Sequence, residues 1–454
     1  MNKALIVFFL SIVSLGFGQT NTFSPYSIYG LGEPTRSATT AMASMGHASI
    51  ALINPTSINP QNPASYTDVN RPAFNFDLKD EILTLSNNSS SSSSNSFAIQ
   101  NFSFAFPIIN DYKKFKRRAG LSFGLTPYSN MGYNLFSIDN IPDLGDVEYR
   151  FFGEGGINAL HIGTGVDILA NKKRTNVLSA GVNGNYMFGT ISKNRVTQFG
   201  SAAAASNLYR ESNTEISDVD WNAGIRFAHI DTLIRKTMMP DSSFKYEKSL
   251  ALLSIGAIVR PGTDLTTFSE RLEYSFSDSF TRPNIIDTLL ASNIIGVTKT
   301  PLTFGVGISA NFDNKWTLSA DLTQTMWSKL EIDGANAGLN DSRRLSLGAE
   351  LIPEYDTKSL TSYMRIVRYR AGFSFEQTML NISGSQPLRY GVSFGLGFPL
   401  RIASGSTSMF NIGAEVAQRR TPGLNLSENF FNIHAGFTIT PNRYDQWFAK
   451  RKFD

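Results

Sequence analysis

Ser393 and the four histidines are the residues whose types could support catalysis or metal binding. Gly391-Val392-Ser393-Phe394-Gly395 matches the G-x-S-x-G pattern of a serine nucleophile. That pattern requires a strand-to-helix turn, and here it lies within alternating residues typical of a strand. The histidines lack the spacing of a metal-binding pair; they are His47, His161, His229 and His434. We therefore predict no catalytic residue, metal site or cofactor, and a lipid hydrolase using Ser393 and His434 is a remote alternative.

Composition and the N-terminus indicate an exported protein. Residues 1–18 have the order of a secretory signal, with Lys3 before an apolar run and small residues at Gly16 and Gly18. The 454 residues contain no cysteine, which excludes disulfides. With 41 basic and 37 acidic residues and no long basic run, nucleic acid is not an expected partner.

Two-residue alternation dominates the chain from Ala73 onward. Residues 302–312 show it most clearly, because Leu302, Phe304, Val306 and Ile308 alternate with threonine, glycine and serine. The pattern predicts a strand with one apolar face and one face of small polar residues. We predict fourteen strands, at about 73–84, 97–109, 118–131, 156–169, 177–190, 219–233, 246–260, 302–312, 315–328, 341–353, 364–377, 388–400, 408–419 and 429–440.

The strand count, the small polar face and the loops together predict an all-β protein, a transmembrane antiparallel β-barrel. Connections after odd strands are mostly long, as at 132–155 and 191–218, and those after even strands are mostly shorter. This parity is typical of barrels in the outer membrane of Gram-negative bacteria. It places both termini in the periplasm and the outer face of the barrel against membrane lipid. Residues 87–96 read as a flexible loop, and residues 263–280 as an extra pairing within the longest loop.

The predicted loop at 132–155 carries more apolar groups than a solvated loop needs. We select Leu135, Phe136, Phe151 and Phe152 as candidate ligand contacts. A lid on the barrel mouth or a surface for a protein partner would explain the same residues.

Residues 37–66 differ from everything after them. They are rich in alanine, serine, methionine and Asn-Pro, contain no acidic or basic residue, and do not alternate. We expect the barrel to enclose this stretch. The domain prediction is a signal peptide at 1–18, a plug at 19–70, a barrel at 71–440 and a periplasmic tail at 441–454.

Several stretches resemble the FadL/OmpP1/TodX-type outer-membrane transport proteins, in their Bacteroidetes members. Residues 153–189, residues 315–328, the pair AMASMGHASIAL and NPQNPASY, and the tail QWFAKRK carry the resemblance. It implies a porin-like barrel of fourteen strands plugged by an N-terminal hatch. The hatch positions are Met45, Gly46, Asn62, Pro63 and Ala64, and His47 stands where the family usually has glycine.

Two functions remain open from the sequence. The resemblance implies a channel that takes up small hydrophobic compounds, either fatty-acid-like or aromatic, past the hatch. Some similar barrels are instead non-transporting accessory subunits of a protein secretion complex of the type IX kind. The expected partners are therefore membrane lipid, a small hydrophobic ligand and a larger outer-membrane protein complex.

Overall fold

The structure is a computed structural model that describes residues 22–440 except 37, 56, 89, 110–116, 143, 201–204, 239–243, 278–282, 355–362 and 401–407. The predicted signal peptide at 1–18 and the C-terminal tail at 441–454 lie outside the described residues.

Strands make up most of the described chain. They are β1 (Glu33–Pro34), β2 (Ala73–Ser86), β3 (Ser91–Ile109), β4 (Ala119–Ile141), β5 (Gly145–Ala170), β6 (Asn176–Phe199), β7 (Asn207–Met238), β8 (Phe244–Arg260), β9 (Asp264–Ser277), β10 (Asn284–Lys299), β11 (Thr303–Phe312), β12 (Trp316–Thr325), β13 (Glu331–Ile332), β14 (Ala335–Asn336), β15 (Ser342–Leu351), β16 (Arg368–Gln377), β17 (Leu388–Pro399), β18 (Met409–Arg420) and β19 (Ser427–Ile439).

Fourteen of these strands close into an antiparallel barrel within the described residues. They are β2 to β8, β11, β12 and β15 to β19. Each pairs with the next along the chain, β8 pairs with β11, and β19 pairs with β2 to close the wall. Full closure leaves no free sheet edge at the joint between the last and first strands. The predicted fold and strand number are confirmed.

The extra pairing expected within residues 263–280 is present as a hairpin of two strands that are not among the fourteen of the barrel. Strand β9 pairs with β10 and also with the first half of β7. Strand β10 then pairs with the short strand β13, which forms a small hairpin with β14. These strands extend the wall beyond the barrel instead of adding to it.

The barrel has a near end, where β2 begins and β19 finishes, and a far end, where β2 finishes. Several segments that we predicted as far-end loops are strand. Residues 132–155 belong mostly to β4 and β5, which stay paired up to Ile141 and Gly145. Residues 191–199 and 207–218 likewise extend β6 and β7. The serines at 91–96, predicted as loop, begin β3 because each pairs with a residue of β2.

The two faces of the wall differ as the alternation predicts. In β11, Phe304, Val306 and Ile308 are exposed on the outside, whereas Ser309 is buried toward the lumen. Glycine, serine and asparagine dominate the inward positions of neighbouring strands as well. The outer face therefore has the apolar character that lipid requires.

Helices are few and short in the described chain. They are α1 (Thr40–Ala43), α2 (Tyr363–Ile366) and the 3-10 turns Pro25–Ile28, Pro63–Asp68 and Trp327–Lys329. Among the described residues, none of the helices combines the length and apolar character needed to cross a membrane.

Replacing Ile308 by arginine tests the outer face. A charge at this exposed apolar position would stand in lipid, so Ile308→Arg is expected to lower the free energy of unfolding in bilayers by about 2–4 kcal/mol. Ile308→Leu keeps the apolar surface and is the matched control. Denaturant unfolding from lipid vesicles measures both, and equal stability of the two variants would contradict a lipid-facing position.

Candidate functional site

The described residues between 22 and 72, which we call the luminal segment, lie inside the barrel. The segment starts at the far end, where the Tyr26 hydroxyl lies 3.2 Å from the Thr421 hydroxyl in the loop after β18. It reaches the near end at Val69, which packs beside Ala73 at the start of β2. The first described residues and Thr440 therefore lie at opposite ends of the barrel. The chain termini themselves lie outside the described residues, and their sidedness stays a prediction.

Inward glycines bring the wall into direct contact with the luminal segment. A Cβ atom added to Gly372 of β16 would overlap Met45 and Gly46, and one added to Gly181 of β6 would overlap Pro63. The segment backbone crowds other inward glycines in the same way, including Gly120, Gly165, Gly256 and Gly348. Two backbones approach this closely only where the wall carries no side chain.

The Asn62-Pro63-Ala64 motif fastens one turn of the segment to another and to the wall. The Asn62 carboxamide oxygen accepts a hydrogen bond from the Ala64 backbone N–H at 3.1 Å and so caps the following 3-10 turn. Its amide nitrogen donates to the carbonyl oxygens of Ile50 at 2.7 Å and of Ile225 in β7 at 3.3 Å. Pro63 takes the first helical position, where a backbone N–H is not needed.

Met45, Gly46 and His47 form the turn that ends α1. The His47 N–H donates to the Met42 carbonyl at 2.9 Å, and both Gly46 and His47 have positive φ, of 63° and 68°. The left-handed region suits glycine and costs other residues about 1–2 kcal/mol. His47 is buried, and this burial, followed by the nearby Arg36 charge, holds its pKa well below the ordinary value. The imidazole is therefore neutral at pH 7.

Acidic side chains of the wall anchor backbone N–H groups of the segment. The Asp321 carboxylate on β12 accepts from Ser49 at 2.5 Å and from Ile50 at 2.8 Å. Asp77 on β2 accepts from the Thr40 N–H at 2.8 Å. Buried donors left without partners would cost about 1–3 kcal/mol each, so these contacts determine where the segment rests.

Ion pairs hold the segment toward both ends of the barrel. Nearer the near end, Arg226 of β7 binds both carboxylate oxygens of Asp68, at 2.5 and 2.6 Å. Toward the far end, Arg36 pairs with Glu376 of β16. At the same level of the wall, Arg419 of β18 binds Glu33 at 2.9 Å. Removing one partner of a buried pair typically costs about 3–5 kcal/mol.

An apolar cluster lies at the far end of the barrel. Leu31 of the segment packs there with Met131, Ile157, Met187, Ile191, Ile216, Leu265, Trp327, Leu330, Leu339 and Met379. We call this group the far-end cluster. It joins the segment to the extended strands β4 to β7, to β9 and to the residues that follow β12 and β16.

The four predicted ligand-contact residues do not share one surface. Leu135 and Phe151 pack on the far-end cluster, and Phe152 packs on a second cluster with Val196, Tyr209 and Phe276. Phe136 is exposed. All four lie on strands β4 and β5 and not on a loop, and their contact with a ligand stays a prediction.

Ser393 is a structural residue in the described chain. It lies within β17, and its hydroxyl accepts a hydrogen bond from the Gly46 N–H at 3.0 Å. The register places Ser393 opposite Glu415, whereas His434 lies opposite Gly413. The strand-to-helix turn of a serine nucleophile is absent here.

A luminal cavity of about 310 Å³ remains between the upper part of the segment and the wall. Arg36, His47, Arg344, Glu376, Arg389 and Glu415 are among the residues that line it. Pockets for small molecules usually have mostly apolar linings and volumes of about 300–1,000 Å³. This cavity is at the small end of that range, and polar or charged residues are the majority of those that line it, beside apolar ones such as Ile99, Ile258 and Leu380.

The barrel wall separates between β3 and β4 toward the far end. Their pairing runs from Phe102 and Leu125 to the near end, and above this level the described ladder no longer joins the two strands. Ser129 and Asn130 of β4 pair instead with β1 of the segment. We call this separation the lateral seam, and residues on both of its sides line the luminal cavity.

The sequence did not single out the charged wall residues Arg226, Asp321 and Glu376. One feature of the sequence could have identified them, namely a charged residue on a strand face that is otherwise small and polar. Asp321 shows it, because it shares a face with Thr317, Ser319 and Thr323. Their partners on the segment could not be predicted. Alternation shows which face of a strand is apolar, but it does not show which segment residue lies beside which wall residue.

These features define the class of a fourteen-stranded outer-membrane-type barrel filled by its own N-terminal segment. The fold is similar to that of a Pseudomonas aeruginosa FadL homologue, at a TM-score of 0.53 and 14% identity over 91% of this chain and 99% of that one. It is also similar to the Pseudomonas putida toluene transporter TodX, at 0.52 and 12% over 90% and 99%. The Ralstonia pickettii toluene transporter TbuX gives 0.51 and 14% over 89% and 98%.

The model of the BamG family matches residues 1–454, and the chain belongs to that family. Curated proteins gave no match. At these low identities the solved structures establish the fold and not the cargo.

Replacing Gly372 by alanine tests the contact between wall and segment. The added methyl group would overlap the Gly46 backbone, so Gly372→Ala is expected to lower the free energy of unfolding by about 1–3 kcal/mol. Gly184→Ala is the control, because the nearest atom to its Cβ lies 4.0 Å away. Thermal unfolding in detergent compares the two variants, and equal destabilisation would refute the contact.

Replacing Asp321 by alanine tests the anchoring of Ser49 and Ile50. Both N–H groups lose their acceptor, so their hydrogen exchange, followed by mass spectrometry, is expected to accelerate at least tenfold. The exposed Asp139 provides the control variant Asp139→Ala. If exchange at residues 49 and 50 is the same in both variants, the segment is held by other contacts.

Proposed function

We propose that this chain is a non-transporting, plugged accessory barrel of a larger outer-membrane protein complex. The observation that carries the proposal is the luminal segment, which buried ion pairs and backbone hydrogen bonds fasten toward both ends of the barrel. The BamG family to which the chain belongs is consistent with an accessory role. We further propose that the near end faces the periplasm of a Gram-negative cell; the Bacteroidetes origin stays a prediction.

Closure of the lumen supports this function because opening it requires several costly events together. A passage would have to separate Arg226 from Asp68 and Arg36 from Glu376, and also disrupt the far-end cluster. Each broken buried pair leaves an unpaired charge in a poorly solvated space. A segment that must move in every transport cycle would be held more weakly than this.

The cavity lining also disfavours a purely hydrophobic cargo. Arg36, Arg344 and Glu376 would have to lose hydration against an apolar molecule without gaining hydrogen bonds. An aromatic hydrocarbon of the kind expected from the family resemblance would gain no hydrogen bond or ion pair from these charged side chains.

A channel with sideways exit is the second candidate, and the lateral seam favours it. The seam connects the luminal cavity to the wall between β3 and β4, so a molecule in the cavity would have a short route to the membrane. The two candidate functions differ in the motion they require. The luminal segment stays in place in an accessory barrel, and it moves during transport in a channel.

A disulfide between the segment and the wall separates the candidates. The hydroxyl oxygens of Thr67 and Ser179 lie 3.3 Å apart, and the chain has no cysteine of its own, so Thr67→Cys with Ser179→Cys gives a single defined lock. We expect the locked protein to complement a deletion strain fully and to leave uptake of labelled fatty acid and toluene unchanged.

Thr84→Cys with Ser93→Cys is the matched control, because these hydroxyls also lie 3.3 Å apart but both belong to the wall. A transport defect confined to the Thr67–Ser179 lock and reversed by reductant would overturn the accessory function and support the channel. Purification of tagged protein in mild detergent provides the second measurement. A stoichiometric larger barrel is expected with it, and a chain that always purifies alone would contradict the proposal.

A further inference from the structure

Strand β10 is an edge strand that stands beyond the barrel with one side open. Its other side pairs with β9 from end to end. On the open side, β13 pairs with the last two residues of β10, and the Asp333 N–H donates to the Val297 carbonyl at 3.0 Å. Within the described residues, no strand pairs with this side of residues 284–296. An open edge of this kind is a template for pairing with a further strand.

The hydrogen bond to Val297 shows which backbone groups point to the open side. Successive residues of a strand turn their N–H and C=O groups to opposite sides, and the register with β9 is regular from Leu290 onward. Since the Val297 carbonyl points away from β9, the backbone groups of Ile295, Asn293 and Ala291 point the same way. Each of these three residues offers one donor and one acceptor to a strand alongside.

Apolar side chains are concentrated beside this open edge. Ile295 is 79% exposed, and Phe268, which lies opposite it on β9, is also exposed. One strand further in, the same face is polar, because Glu215 of β7 lies opposite Phe268. Exposed edges are usually protected by charges, yet Asp287 is the one charged residue from 284 to 297. The face is therefore apolar where a further strand would join the sheet.

The position of β10 places its open edge outside the lipid. Tyr186 and Trp221 are exposed at the far margin of the outer apolar face, where aromatic residues of barrels meet the membrane surface. Strand β9 pairs with β7 only from Ile216 outward, which is beyond this level. Membrane lipid therefore does not cover the open edge.

The direction of β10 excludes a second copy of this chain as the added strand. The strand continues the wall through β9 and β7, so it follows the barrel axis. Antiparallel pairing of two β10 edges needs a twofold axis in the membrane plane, which would turn one barrel upside down. A twofold axis along the membrane normal would set each free N–H against its own copy, donor against donor. A strand of a different protein meets neither obstacle.

We propose that residues 291–295 of β10 dock an extended segment of a different protein, which adds one strand to the sheet. Backbone hydrogen bonds hold the segment, and its alternate apolar side chains cover Ile295 and Phe268. This inference rests on the accessory function proposed above, and it assigns the segment to the larger barrel of the complex, in a part that lies outside the membrane at the far end.

Co-purification of tagged full-length variants in mild detergent tests the docking edge. Ile295→Lys places a charge on the apolar face, and Asn293→Pro removes one free N–H at an edge position where proline is tolerated. Each variant is expected to lower the amount of co-purified larger barrel at least tenfold. Thermal unfolding should stay unchanged, because both side chains are exposed.

Ser137→Lys is the matched control, because it places the same charge on an exposed residue of β4. This variant should retain the partner in full. Full retention in both Ile295→Lys and Asn293→Pro would overturn the docking edge and leave the accessory function intact.

Photo-crosslinking in living cells gives a second measurement that does not require the complex to survive detergent. A photoreactive amino acid placed at 291, 293 or 295 is expected to crosslink to one partner peptide, at positions that advance by two residues from site to site. Crosslinks to unrelated positions, to lipid or to a second copy of this chain would overturn the proposal. If the protein purifies alone but shows these regular crosslinks, the strand partner is supported and the stable accessory complex is not.

Discussion

Close approach of two backbones is the constraint on which this structure depends. Inward glycines such as Gly181 and Gly372 leave no side chain between the wall and the luminal segment. Wall carboxylates and hydroxyls can then reach the segment's N–H groups directly, as Asp321 does for Ser49 and Ile50. The small inward residues therefore make room for the segment as well as forming the inner face of the wall. A wall with ordinary side chains at these positions would have to exclude it.

Sequence alternation was enough to find the barrel, because each strand has one face in lipid and one in the lumen. It failed where that contrast disappears. The serines at 91–96 and the polar ends of β6 and β7 continue the ladder beyond the apolar band, so they were predicted as loops. Backbone pairing continues there through cross-strand hydrogen bonds, which leave no periodic trace in side-chain polarity.

The interior was less accessible to prediction than the wall. The Asn62-Pro63-Ala64 motif was assigned to the plug from the family resemblance, and the sequence did not indicate which wall residues it contacts. The pairs Arg226–Asp68 and Arg36–Glu376 join residues more than a hundred positions apart, and their geometry follows from how the segment is seated. The backbone conformation of His47 was equally hard to predict. Its φ of 68° lies in the region that glycine favours, and a histidine in the sequence does not indicate this.

The position of the luminal segment also bears on how the barrel is assembled. It precedes β2 in the chain, yet Thr40 bonds Asp77 on β2 and touches Gly436 on β19, the two strands whose pairing closes the cylinder. Contacts between such distant parts of a chain form late in folding. A segment that touches both strands adds contacts across the joint that closes the cylinder. The pairing of the first and last strands is therefore supported from inside the barrel as well as by its own hydrogen bonds.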